Sequence, residues 1–191
     1  VYNELNKLGG LWIYAISGNH DIKKVSRVGN PPYSWLYTVE RYGIEIIDYT
    51  TRILSGYHKE IEVHGVPYID NNIGISKYLS ELKLDKSKKH ILLLHTDYPG
   101  AKDTDGREID SVENLNLNTL NRFDLVLCGH IHKPQRLGKK VYMIGAPNQQ
   151  RRTDKNCKLG YWKIYEDLSM EFVPLKGFPK FKDVESEEDI K

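Results

Sequence analysis

Three short apolar runs in this chain each end in side chains able to hold a metal ion, and that recurrence limits the folds open to it. Leu11-Trp12-Ile13-Tyr14-Ala15-Ile16 leads into Gly18-Asn19-His20-Asp21. Ile91-Leu92-Leu93-Leu94 leads into His95-Thr96-Asp97, and Asp124-Leu125-Val126-Leu127-Cys128 into Gly129-His130-Ile131-His132. Runs this short, rich in branched or aromatic residues, read as buried strands rather than helices. Polar residues at the carboxyl ends of buried strands are where an α/β sheet carries its chemistry. The fold class expected is therefore α/β.

Composition narrows the setting. The chain has 191 residues, 28% charged and 39% hydrophobic, enough for one domain with a real core. No apolar run approaches the ~18 residues of a membrane span, and no secretory signal is evident. Cys128 and Cys157 form no CxxC pair. Cys128 is expected to be a small buried side chain, which suits a reducing, cytoplasmic setting. Net charge is only +2 but unevenly spread. Lys133 to Lys158 carries eight basic residues against the single acid Asp154. Such a stretch beside a site suits a polyanionic substrate, and it equally suits a solvated lysine-rich face.

The remaining elements follow from periodicity and punctuation. Val1 to Leu8 reads as the last turns of a helix ended by Gly9-Gly10, and Pro31-Pro32 interrupts the segment after Asp21. Tyr33 to Tyr42 is expected to be helical, with Gly43 as the stop. Short strands are expected over Ile44 to Ile47 and Thr50 to Leu54. Glu60 to Ile69 alternates, with Ile61 and Val63 on one side and Glu62 and His64 on the other. Ile75 to Leu84 reads as an amphipathic helix, and Leu115 to Leu120 as a short helical stretch. Tyr98 to Asp110 is a long polar loop of the functional kind. Val141 to Ile144 is a strand, and Gly160 to Tyr165 with Ser169 to Val173 is a hairpin. From Phe178 the chain is charged and poor in core residues.

Each metal-competent residue alone is a weak signal, since a histidine on an apolar strand is more often a hydrogen-bonded core group. In succession they point to metal. In an extended loop His130 and His132 can reach one cation or two neighbouring ones. Imidazole and oxygen donors without thiolate suit manganese, iron or zinc.

The order GNHD, then an apolar strand ending in His-Thr, then CGHIH resembles the calcineurin-like metallophosphoesterases. The resemblance runs from about Leu5 to Phe172. Within that family the chain is similar to the repair and recombination exonuclease subunits of the SbcD type, phage relatives included. Tyr14-Ala15-Ile16-Ser17, Met143-Ile144-Gly145-Ala146-Pro147 and Phe178-Pro179-Lys180-Phe181 add to that likeness. The resemblance implies a four-layer α/β/β/α sandwich of two mixed sheets, and two divalent cations, manganese above all. It implies that Asn19, His95 and His130 ligate the second metal and His132 the first. His20 would act at the scissile phosphate, with Asp21 orienting it. DNA is the implied substrate and an SbcC-type coiled-coil ATPase the implied partner; homodimerisation is a further possibility, and no membrane is involved. Two further motifs of the family, an Asp-x-His and a Gly-Asp pair, stand before GNHD in its members and do not occur in this sequence. We therefore expect residues 1–177 to form a metallophosphoesterase domain lacking its first strand-helix units. Residues 178–191 would be a charged tail or the start of a cap domain. The metal-one site would be incomplete, and this chain alone weakly active or inactive, as a fragment, as half of a split protein or as a degenerate member. Other readings of the same motifs are a nucleotide or small-molecule phosphoesterase and a non-catalytic scaffold.

Several residues carry weaker expectations. Lys133, Arg151 and Arg152 are candidate phosphate contacts, with Gln149 and Gln150 beside them. Asp97 either positions His95 or is exposed. Tyr33, Trp35 and Tyr98 either stack on bases or belong to the core. His58 is read as loop, His64 as the polar face of a strand and His90 as a strand edge.

Overall fold

The apolar runs do form strands, and the carboxyl ends of three of them carry the candidate ligands. The computed structural model describes residues 12–22, 34–55, 60–69, 74–110 and 115–182. Ten strands are described: β1 (Ile13–Ala15), β2 (Ile44–Ile46), β3 (Thr51–Ser55), β4 (Glu60–Val66), β5 (Lys89–His95), β6 (Leu125–Gly129), β7 (Gln135–Leu137), β8 (Val141–Met143), β9 (Gly160–Ile164) and β10 (Met170–Pro174). The main sheet has six strands in the order β3-β4-β5-β6-β8-β7. It is mixed: β4 and β5 run parallel, while β3 is antiparallel to β4 and β7 to β8. The expected α/β class holds. The expected helix over Val1 to Leu8, Gly9-Gly10, Pro31-Pro32, Tyr33 and His58 lie outside the described residues.

The chain divides into two compact units, Val1–Thr96 with Glu113–Val126, and Asp97–Val112 with Leu127–Lys191. In the first, β1 pairs in parallel with β2, Ile13 opposite Ile44 and Ala15 opposite Ile46. Its core gathers Ile47, Val66, Leu79, Leu92, Leu94 and Phe123, each fully or almost fully buried. At ~25 cal/mol per Å2 of apolar surface, side chains of this size contribute roughly 1.5–3 kcal/mol each. Gly65 on β4 lets the Ile47–Thr50 turn close against the strand. A Cβ at residue 65 would stand 2.1 Å from the Ile47 carbonyl oxygen. Trp35–Tyr42 is helical as expected but winds as a 3-10 helix, capped by Ser34, whose hydroxyl accepts from Leu36 N–H. The helix Ile75–Glu81 is one turn shorter than its periodicity suggests and buries Ile75 and Leu79. Arg122 holds its end by donating to the carbonyls of Leu79, Ser80 and Leu82.

In the second unit β7 and β8 form a hairpin through Gly138; β7 is too short and polar to register in the sequence pattern. The β9–β10 hairpin lies where alternation put it, Trp162 opposite Phe172. Trp162 packs edge-on against Tyr142 with ring centroids 5.1 Å apart, and donates its indole N–H to the Ile144 carbonyl. Cys128 is fully buried. A 3-10 helix, Arg152–Asn156, follows the polar run Asn148-Gln149-Gln150-Arg151. The Tyr98 to Asp110 loop is folded on itself by paired bonds between Gly100 and Ile109, Ala101 and Ile109, and Asp103 and Arg107. The chain beyond Phe178 touches this unit: Phe181 N–H donates to the Gln149 side-chain oxygen. No helix among the described residues is long and apolar enough to cross a membrane.

Candidate metal centre

Where β1 ends, Ser17 fastens the GNHD loop. Its backbone N–H and hydroxyl donate to the two carboxylate oxygens of Asp48, at 2.8 and 2.6 Å. The Ser17 carbonyl accepts from Tyr68 N–H at 2.8 Å. The next four residues make a tight turn. Asp21 N–H donates to the Gly18 carbonyl at 3.0 Å, and Gly18 N–H donates back to Asp21 Oδ2 at 2.8 Å. The Asp21 carboxylate is thus engaged in closing the turn. His20 sits exposed on that turn, open to an incoming group.

His95, the last residue of β5, lies against this turn. Its Nε2 is 3.0 Å from Asn19 Oδ1, joining residues 76 positions apart. Two donors bound at right angles to one cation, each about 2.1 Å from it, stand about 3 Å apart. Asn19 and His95 are hydrogen-bonded to each other, and their spacing is also one that neighbouring ligands of a divalent ion would keep. Gly18 makes the approach possible, because a Cβ there would stand 2.7 Å from His95 Cε1.

The second unit brings together the other predicted ligands. His130 follows β6 with φ 98°, in the left-handed region that a non-glycine residue occupies only at a cost. Its Nε2 is 3.5 Å from Asp97 Oδ1. His130 is thus the partner that Asp97 takes in the second unit. His132 Nδ1 is 3.0 Å from Oδ2 of Asp154, which is completely buried. The same oxygen accepts the backbone N–H of Gln150 and Arg151. Burial pushes the Asp154 carboxyl up, but the Gln150 N–H, the His132 ring and the Arg151 N–H outweigh it. The net pKa lies below the usual carboxylate range. A carboxylate acceptor requires the proton on His132 Nδ1, which leaves the Nε2 lone pair free for a cation. This carboxylate-histidine arrangement is how proteins orient a metal-binding imidazole. Sequence reasoning missed Asp154 in this role. The available signal was an isolated acid inside a basic stretch, which only the fold shows to be buried.

Burial of Asp154 also changes the basic stretch. Its only acid is withdrawn from the surface, and Arg151, Arg152, Lys155 and Lys158 remain exposed around it. Arg151 lines a cleft of about 260 Å3 with Asp97, His130 and His132. Lys133 is half-buried beside it in sequence, and Arg152 opens the 3-10 helix.

Three readings change in detail. His64 keeps the polar face of β4 that it shares with Glu62, but that face is not solvated, and His90 is the second residue of an interior strand. Both are buried, because β4 and β5 are interior strands and their shared face is covered, with the Phe123 ring edge-on to His64. Trp35, where stacking on bases and a core position were the two readings, is 58% exposed and so is not a core residue.

Comparison with known proteins agrees with the motifs. A family model of calcineurin-like phosphoesterases matches residues 2–134. The SbcD subunit of the SbcCD nuclease from Staphylococcus epidermidis is 24% identical over 199 residues, covering 93% of this chain and 53% of that protein. The chain thus spans about half the length of this curated relative. A crystal structure of a "Putative 5'-Nucleotidase" from Staphylococcus aureus, in complex with alpha-ketoglutarate, superposes with a TM-score of 0.51 at 15% identity. The match covers 99% of this chain and 42% of the other, and it speaks to the fold alone. With the model matching well over half its length and the signature residues in place, the chain belongs to the calcineurin-like phosphoesterase family.

Proposed function

We propose that this chain is the catalytic part of a nuclease subunit that hydrolyses DNA phosphodiesters with two divalent cations, manganese the preferred ion. The observation that carries the metal requirement is the meeting of Asn19 Oδ1 and His95 Nε2 at 3.0 Å. Asn19, His95 and His130 would hold one cation and His132 the other, with further ligands coming from Asp-x-His and Gly-Asp motifs outside this sequence. Bound cations would polarise the phosphate and lower the pKa of a water to serve as nucleophile. His20, exposed on the GNHD turn, would stabilise the charge on the phosphate or protonate the leaving oxygen. Asp21 would hold His20 in register through the turn that it closes. Lys133, Arg151 and Arg152 would bind the DNA backbone. The likeness to an SbcCD nuclease component supports DNA as substrate and an SbcC-type ATPase as partner.

The test compares linear duplex DNA with a small phosphodiester, each with manganese, in protein that also carries the two upstream motifs. Digestion of DNA, lost in His20→Ala with metal content retained, is the expected result. Turnover confined to the small substrate would favour the nucleotide phosphoesterase reading. No turnover of either substrate would favour a scaffold. Loss of metal in His20→Ala would make His20 a ligand.

A further inference from the structure

A second set of donors stands at the opposite end of β5. His90 lies five residues before His95, which on an extended strand is roughly 16 Å away. The parallel register of β4 and β5 sets Glu62 beside His90, and the two-residue alternation of β4 places His64 on the same face. His64 Nε2 is 3.1 Å from His90 Nδ1. Glu62 Oε2 is 3.4 Å from His90 Nδ1 and 3.9 Å from His64 Nε2. The nearest point equidistant from three atoms so spaced lies in their plane about 2.0 Å from each, so the ligand distances of zinc to imidazole and carboxylate are within reach.

The groups behind these atoms are arranged as a metal would need them. The outer nitrogen of each imidazole already has an oxygen partner: His64 Nδ1 is 2.8 Å from Thr51 Oγ1, and His90 Nε2 is 2.9 Å from the Asp85 carbonyl. The carbonyl can only accept, so His90 carries its proton on Nε2, and its Nδ1 presents a lone pair inward. Thr51 can accept or donate, so His64 can carry its proton on either nitrogen. Without metal, Nε2–H donates to His90. With metal, the proton moves to Nδ1 and is donated to Thr51, with no net proton released. Glu62 is held from behind by Lys88, whose ammonium lies 3.0 Å from Oε1.

We infer that Glu62, His64 and His90 form a separate zinc site, with Thr51 and the Asp85 carbonyl orienting its two imidazoles. The donor set, two imidazoles and one carboxylate without thiolate, suits zinc, with a fourth position left for water. The site shares no residue with the GNHD centre and stands or falls independently of the proposed nuclease function.

The test uses the purified chain, stripped with a chelator and titrated with cobalt as a spectroscopic substitute for zinc, then with zinc itself. The intense visible bands of tetrahedral cobalt are expected in the parent and in His95→Ala, and are expected to be lost in Glu62→Gln and His90→Gln. Thr51→Val should weaken zinc binding by about 10–100-fold. Glu62→Gln keeps the shape of the side chain and its contact with Lys88, so it decides the matter if His90→Gln does not fold. Absence of the bands in the parent, their persistence in Glu62→Gln, or their loss in His95→Ala would overturn the assignment.

Discussion

The His95 imidazole occupies the space that a side chain at residue 18 would need. Its Cε1 would lie 2.7 Å from a Cβ there, closer than real contacts allow, and Nδ1 would lie 3.1 Å away. The first residue of GNHD is therefore tied sterically to a candidate ligand on another strand. Gly18→Ala must push His95 aside or open the turn that Asp21 closes. Overpacking of this kind costs about 1–3 kcal/mol. The expected outcome is a lower Tm together with weaker manganese binding, both measurable on the purified protein. Unchanged manganese affinity in Gly18→Ala would mean that His95 is not a ligand.

Asp154 acts through His132. Replacing it with Asn removes the charge that receives three donors and no longer requires the proton on His132 Nδ1. Metal affinity at His132 is expected to fall about 10–100-fold. Stability is expected to fall by roughly 1–3 kcal/mol, since two backbone N–H groups lose a charged acceptor. The sign of the pH effect follows from the depressed carboxyl pKa. This stabilisation is present above the ordinary carboxylate range and is lost as pH falls through the folded pKa. Metal content by elemental analysis and melting curves at neutral and acid pH separate the two effects. Equal metal binding in Asp154→Asn would remove the orienting role.

Sequence revealed the ends of β5 and β6 because buried strands leave a local record: a short apolar run broken by polar residues. Asn19, His95, His130 and His132 could thus be named as candidate ligands from their places at strand ends. Asp154 could not, because its burial depends on a 3-10 helix formed by polar residues that carry no hydrophobic period. Glu62 and His64 were correctly placed on one face of β4 by alternation. The direction of that face was misread, because Phe123 and the neighbouring strands that cover it come from elsewhere in the chain. His90 joins them only through the β4–β5 register, which a single sequence does not encode locally.

Buried His64 gives the fold a pH dependence of its own. His64 titrates at about 4 in the folded chain, against an ordinary 6.5. The unfolded state therefore takes up the proton first as pH falls. Stability from the neutral ring is complete above about 6.5, declines as pH falls from there toward 4, and levels off below. The shift corresponds to roughly 3 kcal/mol at most. Denaturant melts of metal-free protein at pH 7 and pH 4.5 should show this loss. His64→Gln should be less stable at pH 7 but show a shallower decline. A decline as steep in His64→Gln as in the parent would place the effect on other groups.

Arg151 stands where a phosphate backbone would pass if DNA reaches the His130 and His132 side of the second unit. Its backbone N–H is fixed by Asp154, while its exposed side chain lines the cleft that holds both histidines. Asp154, the one acid within this stretch of sequence, is buried, while Asp97 and Asp103 line the cleft beside Arg151. Contacts of this sort neutralise phosphates and release counterions, so they weaken with salt and carry no sequence preference. Arg151→Ala should reduce affinity for duplexes of unrelated sequence to a similar degree, and reduce the slope of log K against log salt by about one. The double change with Arg152→Ala should reduce the slope further. Fluorescence anisotropy across a range of salt concentrations, with metal binding measured in parallel, reads both. Weaker binding with an unchanged salt slope would show that Arg151 shapes the cleft rather than contacting phosphate.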